Sequence, residues 1–246
     1  MSDMPALHIN KKARMEMRRV GREGHPLLII DDVITNPEVL IEAAATADFT
    51  APAHTRYPGL NAPLPDAYSQ AMVHAVTPLL QRGFGLPFDK PKRFFGFFAL
   101  ATAGPEELEP IQKVPHHDSP DPFRIALVHY LCQGQDSARV ANQKQGTAFF
   151  RHKATGFEGV DGRRREEYVR HATLELEAVG GGLDRHVNDE TPNYELIEFA
   201  ELRFNRLILY RSHVLHSGLL EGANLSADPA VGRLTANSFV DIAPPA

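Results

Sequence analysis

His116, Asp118 and His216, followed by Arg233 and Thr235, are the residues of this chain whose types and order could do chemistry. Two imidazoles and one carboxylate can hold an iron(II) on one face and leave other coordination positions open for a substrate acid and dioxygen. An arginine further along could anchor the far end of that acid through its planar fork of donors. The order His, Asp, His, Arg therefore points to an oxygenase.

In an extended chain residues two apart share a face, so His116 and Asp118 can reach one ion while His117 points away. Pro115 before the pair and Ser119-Pro120 after it place it at the end of a strand beside a loop, where active sites are often built. A chain with 12 histidines shows one such pair by chance about as often as not, so the pair needs company. The third ligand lies between Leu209 and Gly218, which holds His213 and His216. Three residues apart on a strand, these face opposite ways, so one of them serves. His216 is preferred, because an apolar residue precedes it and Ser217-Gly218 follow it, where backbone tolerates close approach. His213 stays open as the alternative, and is otherwise a residue of the mouth.

Arg233, Thr235 and Asn237 alternate with Leu234 and Ala236, so on a strand the three polar residues share one face. A carboxylate held by the guanidinium, with the threonine hydroxyl beside it, explains such a face; a solvent-facing strand side is the other explanation. Tyr130 and Tyr210 each sit in an apolar strand and could lend a phenol to the same carboxylate or simply pack in the core. Arg151 and His152 could face the substrate or form a surface turn. The stretch from Tyr57 to Pro63 could lie over the mouth.

The elements that must position these residues change character along the chain. Pro26 to Ile30 reads as a buried strand. Asn36 reads as a cap with Pro37 at the first helical position, and Val39, Leu40, Ala43, Ala44 and Ala47 repeat on one face of the helix that follows. A second helix starts at Asp66 with Tyr68, Ala71, Ala75, Val76, Leu79 and Leu80, kinked or interrupted at Pro78. Ala51 to Pro65 reads as proline-rich loop. From Arg93 the texture turns to short aromatic and β-branched runs: Phe94 to Ala101, Arg124 to Leu131, Thr147 to Arg151, Tyr194 to Phe204, Arg206 to Arg211 and Arg233 to Ile242. One helix, Arg164 to Val179, interrupts them, and Gly180-Gly181-Gly182 reads as its stop rather than a phosphate loop. Such strands indicate a mainly β sandwich or barrel with helices packed outside. The expectation is a single domain over residues 1–246, with 1–92 as support region and 93–246 as β core.

Bulk properties are those of an ordinary soluble globular protein. Of 246 residues, 43% are hydrophobic and 23% charged, which sets aside disordered and collagen-like classes. A net charge of -5 gives no sign of nucleic-acid binding. The basic runs Lys11 to Arg22 and Arg163 to Arg165 are interleaved with or followed by glutamates and read as solvated surface. A lone Cys132 after an apolar run reads as a packed strand residue, and one cysteine builds no disulfide framework. No apolar leader and no run of about 18 apolar residues is present, so the expected location is the cytoplasm, away from membranes. No HExxH is present, which argues against a zinc protease.

These residues resemble the Fe(II)- and 2-oxoglutarate-dependent oxygenases, particularly the prolyl-hydroxylase-like group, over roughly residues 93–242. The resemblance implies a double-stranded β-helix, a cupin-like jelly roll. It assigns His116, Asp118 and His216 to the metal and Arg233 with Thr235 to the distal carboxylate of 2-oxoglutarate, with Tyr130 as a further cosubstrate contact. Strand Arg124 to Leu131 and Gly146-Thr147-Ala148-Phe149 look like the framework between the ligands. The long interval from Asp118 to His216 departs from the commonest pattern and implies an insertion, namely the Arg164 to Val179 helix. The interval to Arg233 is also long. The whole chain is similar to a bacterial group of such proteins with no established substrate.

The chemistry implied is hydroxylation of a small-molecule or peptidyl substrate by dioxygen, with 2-oxoglutarate converted to succinate and carbon dioxide. Because Asp118 supplies the carboxylate, a halogenase is disfavoured. Two rivals stand beside this reading: a cupin-like metalloenzyme that does not use 2-oxoglutarate, and a non-catalytic jelly-roll binding protein.

Overall fold

Along the strands of this chain, alternate residues bury on opposite faces, and that parity builds the molecule. The computed structural model describes residues 5–53, 57–132, 144–179 and 184–243. In chain order they form β1 (Arg14–Val20), β2 (His25–Asp31), α1 (Glu38–Ala45), β3 (Gly59–Pro63), α2 (Asp66–Gly83), β4 (Arg93–Ala101), β5 (Arg124–Tyr130), β6 (Gln145–His152), α3 (Arg165–Val179), β7 (Tyr194–Glu201), β8 (Leu207–Arg211), β9 (His216–Leu220) and β10 (Arg233–Asp241). The expected glycine stop after α3 lies outside the described residues.

All pairings between these strands are antiparallel. They make a seven-stranded sheet of order β1-β2-β8-β5-β10-β4-β3 and a three-stranded sheet of order β7-β6-β9. The fold is a mainly β double-stranded β-helix. On the outer face of the large sheet, Leu28, Leu127, Leu209, Leu234 and Ala236 meet Leu40, Tyr68, Met72 and Leu80 of the two helices. On its inner face, Leu27, Ile29, Ala126, Tyr130, Ile208 and Tyr210 meet Phe149 and Ala200 of the small sheet. The small sheet turns Ala148 and Phe150 outward against Tyr168 and Tyr194. The inner layer, between the sheets, is where the chemistry-bearing residues gather.

Burial rather than capping docks the helices. Tyr68, Met72, Val76 and Leu80 recur every fourth residue of α2, and each is at most 1% exposed. Burying an aliphatic side chain of this size contributes about 1.5–3 kcal/mol. A proline in a helix interior costs about 3 kcal/mol, less than the four together supply. Consistent with that balance, α2 runs through Pro78 unbroken. Asn36, expected as the cap of α1, instead accepts from the His8 amide and donates to the Ala6 carbonyl, both at 2.9 Å, tying down the N-terminal segment.

One strand lies where the sequence reads otherwise. Within the proline-rich stretch expected as loop, β3 pairs with β4; Pro63 is its last residue and Pro58 lies just before it, as edge strands allow. The charged β1 closes the opposite edge of the sheet by pairing with β2. Among the described residues no helix is long and apolar enough to cross a membrane.

Candidate metal centre

The segment carrying His116 follows two short 3-10 turns, Pro105–Glu107 and Pro110–Lys113, and runs antiparallel to the start of β9. The amide of His116 donates to the His216 carbonyl at 2.9 Å, and the amide of His216 donates back to the His116 carbonyl at 2.8 Å. Two residues on, the Asp118 amide donates to the Ser212 carbonyl at 2.9 Å. Backbone pairing thus brings together residues a hundred positions apart and turns their side chains the same way.

One nitrogen from each histidine and one oxygen of Asp118 all lie within 4.8 Å of one another. His216 Nε2 is 3.4 Å from one carboxylate oxygen and His116 Nε2 is 3.8 Å from the other. The Nδ1–H of His216 donates to the Val214 carbonyl at 2.9 Å, which leaves Nε2 as the lone-pair side facing Asp118. The edge of Tyr210, 4.7 Å away, and the Phe149 ring behind it hold the His216 ring in place.

Protein on most sides strips water from this group even though its mouth is open, with the His116 side chain 54% exposed and Asp118 22%. Loss of solvent first, and His216 beside it second, push His116 down to about 4. Burial pushes His216 down to about 4 as well, against the pull of the Val214 carbonyl. Burial raises Asp118, with His116 and His117 pulling the other way. Two neutral imidazoles beside a carboxylate at an open mouth form a donor set that suits a divalent transition metal.

The other histidines of the two motifs point elsewhere. His117 turns to the ring of Tyr168, 6.2 Å between centroids, and its buried Nδ1 has no partner among the described residues. His213 packs edge-on against His25 at 5.3 Å, away from the group of three.

Arg233 and Thr235 project from β10 onto the inner face, while Leu234 and Ala236 enter the outer core. Thr235 lies directly opposite Tyr130, whose hydroxyl is 2.7 Å from that of Thr147 on β6. The Arg233 guanidinium lies 6.0 Å from the Tyr130 ring centre and donates to the Gly146 carbonyl at 3.3 Å. Among the described residues its buried Nε has no partner and no carboxylate pairs with it. Gly146 is a glycine by necessity, because at φ 154 a Cβ there would fall 2.1 Å from the Ala200 carbonyl oxygen. Burial raises the Tyr130 phenol and pushes Tyr57 up to about 12, with Arg233 pulling both down. Asn237, third on the polar face, has a buried Oδ1 with no partner among the described residues. Tyr210 packs on Phe149 and His216, and its phenol is raised by burial, then by Asp118 and Tyr130.

Arg151 and His152 do not face this space. Arg151 pairs with Glu158 and Glu195, and the fully buried His152 bonds Thr155 and Glu175, so both are framework. Cys132 is half-buried against both sheet layers, with burial raising its thiol.

A jelly roll with a three-residue donor set between its sheets is the class of protein that fold and site define. The sequence pattern of a family of unknown function (DUF6445) matches residues 11–240, and the chain belongs to that family. No curated protein matches it. Among solved structures it is similar to HygX from Streptomyces hygroscopicus, with nickel and 2-oxoglutarate bound, at 12% identity and TM-score 0.46, over 88% of this chain and 82% of that one. HygX has also been solved with hygromycin B. A second similar structure is an N-substituted L-amino acid dioxygenase from Burkholderia ambifaria in complex with alpha-KG, at 12% identity and TM-score 0.42, over 95% of each chain.

Proposed function

We propose that the protein is an Fe(II)- and 2-oxoglutarate-dependent dioxygenase that hydroxylates a small molecule or a peptidyl side chain. The observation that carries this reading is the buried Arg233, which has no carboxylate partner among the described residues and lies on the same inner layer as the clustered His116, Asp118 and His216. The guanidinium lies beside Gly218, two residues beyond His216 in β9. At about 3.4 Å per strand residue that is about 7 Å along the sheet, comparable with the span of a five-carbon dicarboxylate.

His116, Asp118 and His216 would hold the iron, and their neutral imidazoles need lose no proton to do so. When bound, the iron would supply the oxidising chemistry by which one atom of dioxygen enters a substrate C–H bond and the other enters succinate, as 2-oxoglutarate loses carbon dioxide. Arg233 takes the distal carboxylate, and the Thr235 hydroxyl donates beside it. Tyr130 walls the site, its phenol fixed by Thr147. Phe149 and Tyr210 keep the space between the two ends dry, which strengthens each of these contacts.

Calorimetric titration of the Ni(II)-loaded protein with 2-oxoglutarate tests the reading. Wild type binds and Arg233→Ala does not, whereas equal binding by both, or by neither, contradicts it.

A further inference from the structure

The peptide unit joining Pro115 to His116 is held at both ends. Its N–H, on His116, donates to the His216 carbonyl at 2.9 Å. Its C=O, on Pro115, accepts from the Tyr168 hydroxyl at 3.4 Å. A planar peptide fixed at both ends fixes the Cα that follows it, and here that Cα carries the His116 imidazole.

Tyr168 belongs to α3, the helix lying between the HxD segment and the third histidine in sequence. Its hydroxyl is also 3.0 Å from that of Tyr194 on β7. Pro115 can only accept, so the Tyr168 proton is committed to it and Tyr194 donates to Tyr168. The Tyr168 ring packs edge-on against both His117 and the buried His152. Val114 packs into the same apolar cluster, so the residues before His116 lean on α3 and β7.

We propose that Tyr168 is a positioning residue, through which α3 and β7 set the placement of His116 in the metal site. This rests on the metal reading above. Removing the hydroxyl frees one end of the peptide and lets His116 drift from Asp118 and His216. Removing the Tyr194 hydroxyl leaves the bond to Pro115 in place.

The test is Ni(II) binding, by calorimetry or the d–d spectrum, to wild type, Tyr168→Phe and Tyr194→Phe, with thermal midpoints measured alongside. Support is a roughly tenfold loss of affinity in Tyr168→Phe, the scale of outer-contact effects on metal sites, with Tyr194→Phe like wild type. Unchanged affinity in Tyr168→Phe overturns the proposal, and so does an equal loss in both variants that follows their midpoints, because that describes structural support alone. A wild type that takes up no metal overturns the metal reading as well. Hydrogen exchange of wild type needs no variant: the His116 amide should be protected in the metal-free protein, and rapid exchange there contradicts the two-ended hold.

Discussion

His116 and His216 are bonded to each other in both directions through their backbones, at 2.9 and 2.8 Å, with imidazole centres 4.5 Å apart. Their approach is thus part of the sheet framework and does not wait for a ligand to create it. Asp118→Ala and His216→Ala should each weaken Ni(II) or Fe(II) binding by more than about 100-fold, given that even outer contacts cost 10–100-fold. His213→Ala should leave it intact, because His213 packs on His25. Metal content after equilibrium dialysis checks all three.

Arg233 offers a sharper separation. Truncating one partner of a buried, hydrogen-bonded charge pair costs about 2–5 kcal/mol, which is about thirty- to several-thousandfold in affinity. Arg233→Ala should lose 2-oxoglutarate by that factor and keep its metal. Arg233→Lys should fall between, since an ammonium holds a carboxylate without the fork. A cupin-like enzyme without 2-oxoglutarate would show neither effect.

Much of this arrangement is legible in the sequence, because strand parity is a local rule. The same rule puts Arg233 and Thr235 on one face and separates His116 from His117; it does not reach His213, which lies in the turn between β8 and β9 and is set apart from His216 by packing on His25. What escaped is set by partners distant in sequence. Proline content marks 51–65 as loop, yet pairing with β4 makes β3 of its second half. Asn36 has a cap's position but bonds Ala6 and His8 instead. Arg151 and His152 look available until Glu158, Glu195 and Glu175 are folded against them. Nothing in the sequence around Tyr168 points to Pro115, 53 residues away.

Glu158 is a stability element rather than a catalytic one. It is fully buried, accepts from Arg151 Nε at 2.9 Å, and takes the Arg22 and Glu23 amides of the β1–β2 turn at 2.9 and 2.8 Å. Glu158→Ala leaves Arg151 only its half-exposed partner Glu195 and two amides unpaired. Breaking a buried pair this way costs about 3–5 kcal/mol, a large part of the 5–15 kcal/mol that holds a domain together. Urea unfolding should show that loss.

Acid should destabilise the metal-free protein well above the carboxylate range. His129 is fully buried, with Nε2 at 3.2 Å from Asn205 Oδ1, and burial pushes it down to about 4. Its folded value lies below its unfolded value, so the unfolded chain takes the proton first. Stability is therefore full above about pH 6.5 and falls towards pH 4, with up to about 1.4 kcal/mol per pH unit from this residue. His213 and the two site histidines add in the same direction. Urea midpoints from pH 7 to 4 should show a shallower slope in His129→Gln than in wild type.

In the proposed function the His116-Asp118-His216 group and Arg233 together hold iron(II) and 2-oxoglutarate. Anaerobic addition of iron(II) and then 2-oxoglutarate to wild type, followed by visible absorption, tests it most directly. The account predicts a metal-to-ligand charge-transfer band that needs both additions, is absent in Asp118→Ala, and needs far more 2-oxoglutarate in Arg233→Ala. Wild type with iron bound and no band on saturation with 2-oxoglutarate would contradict it.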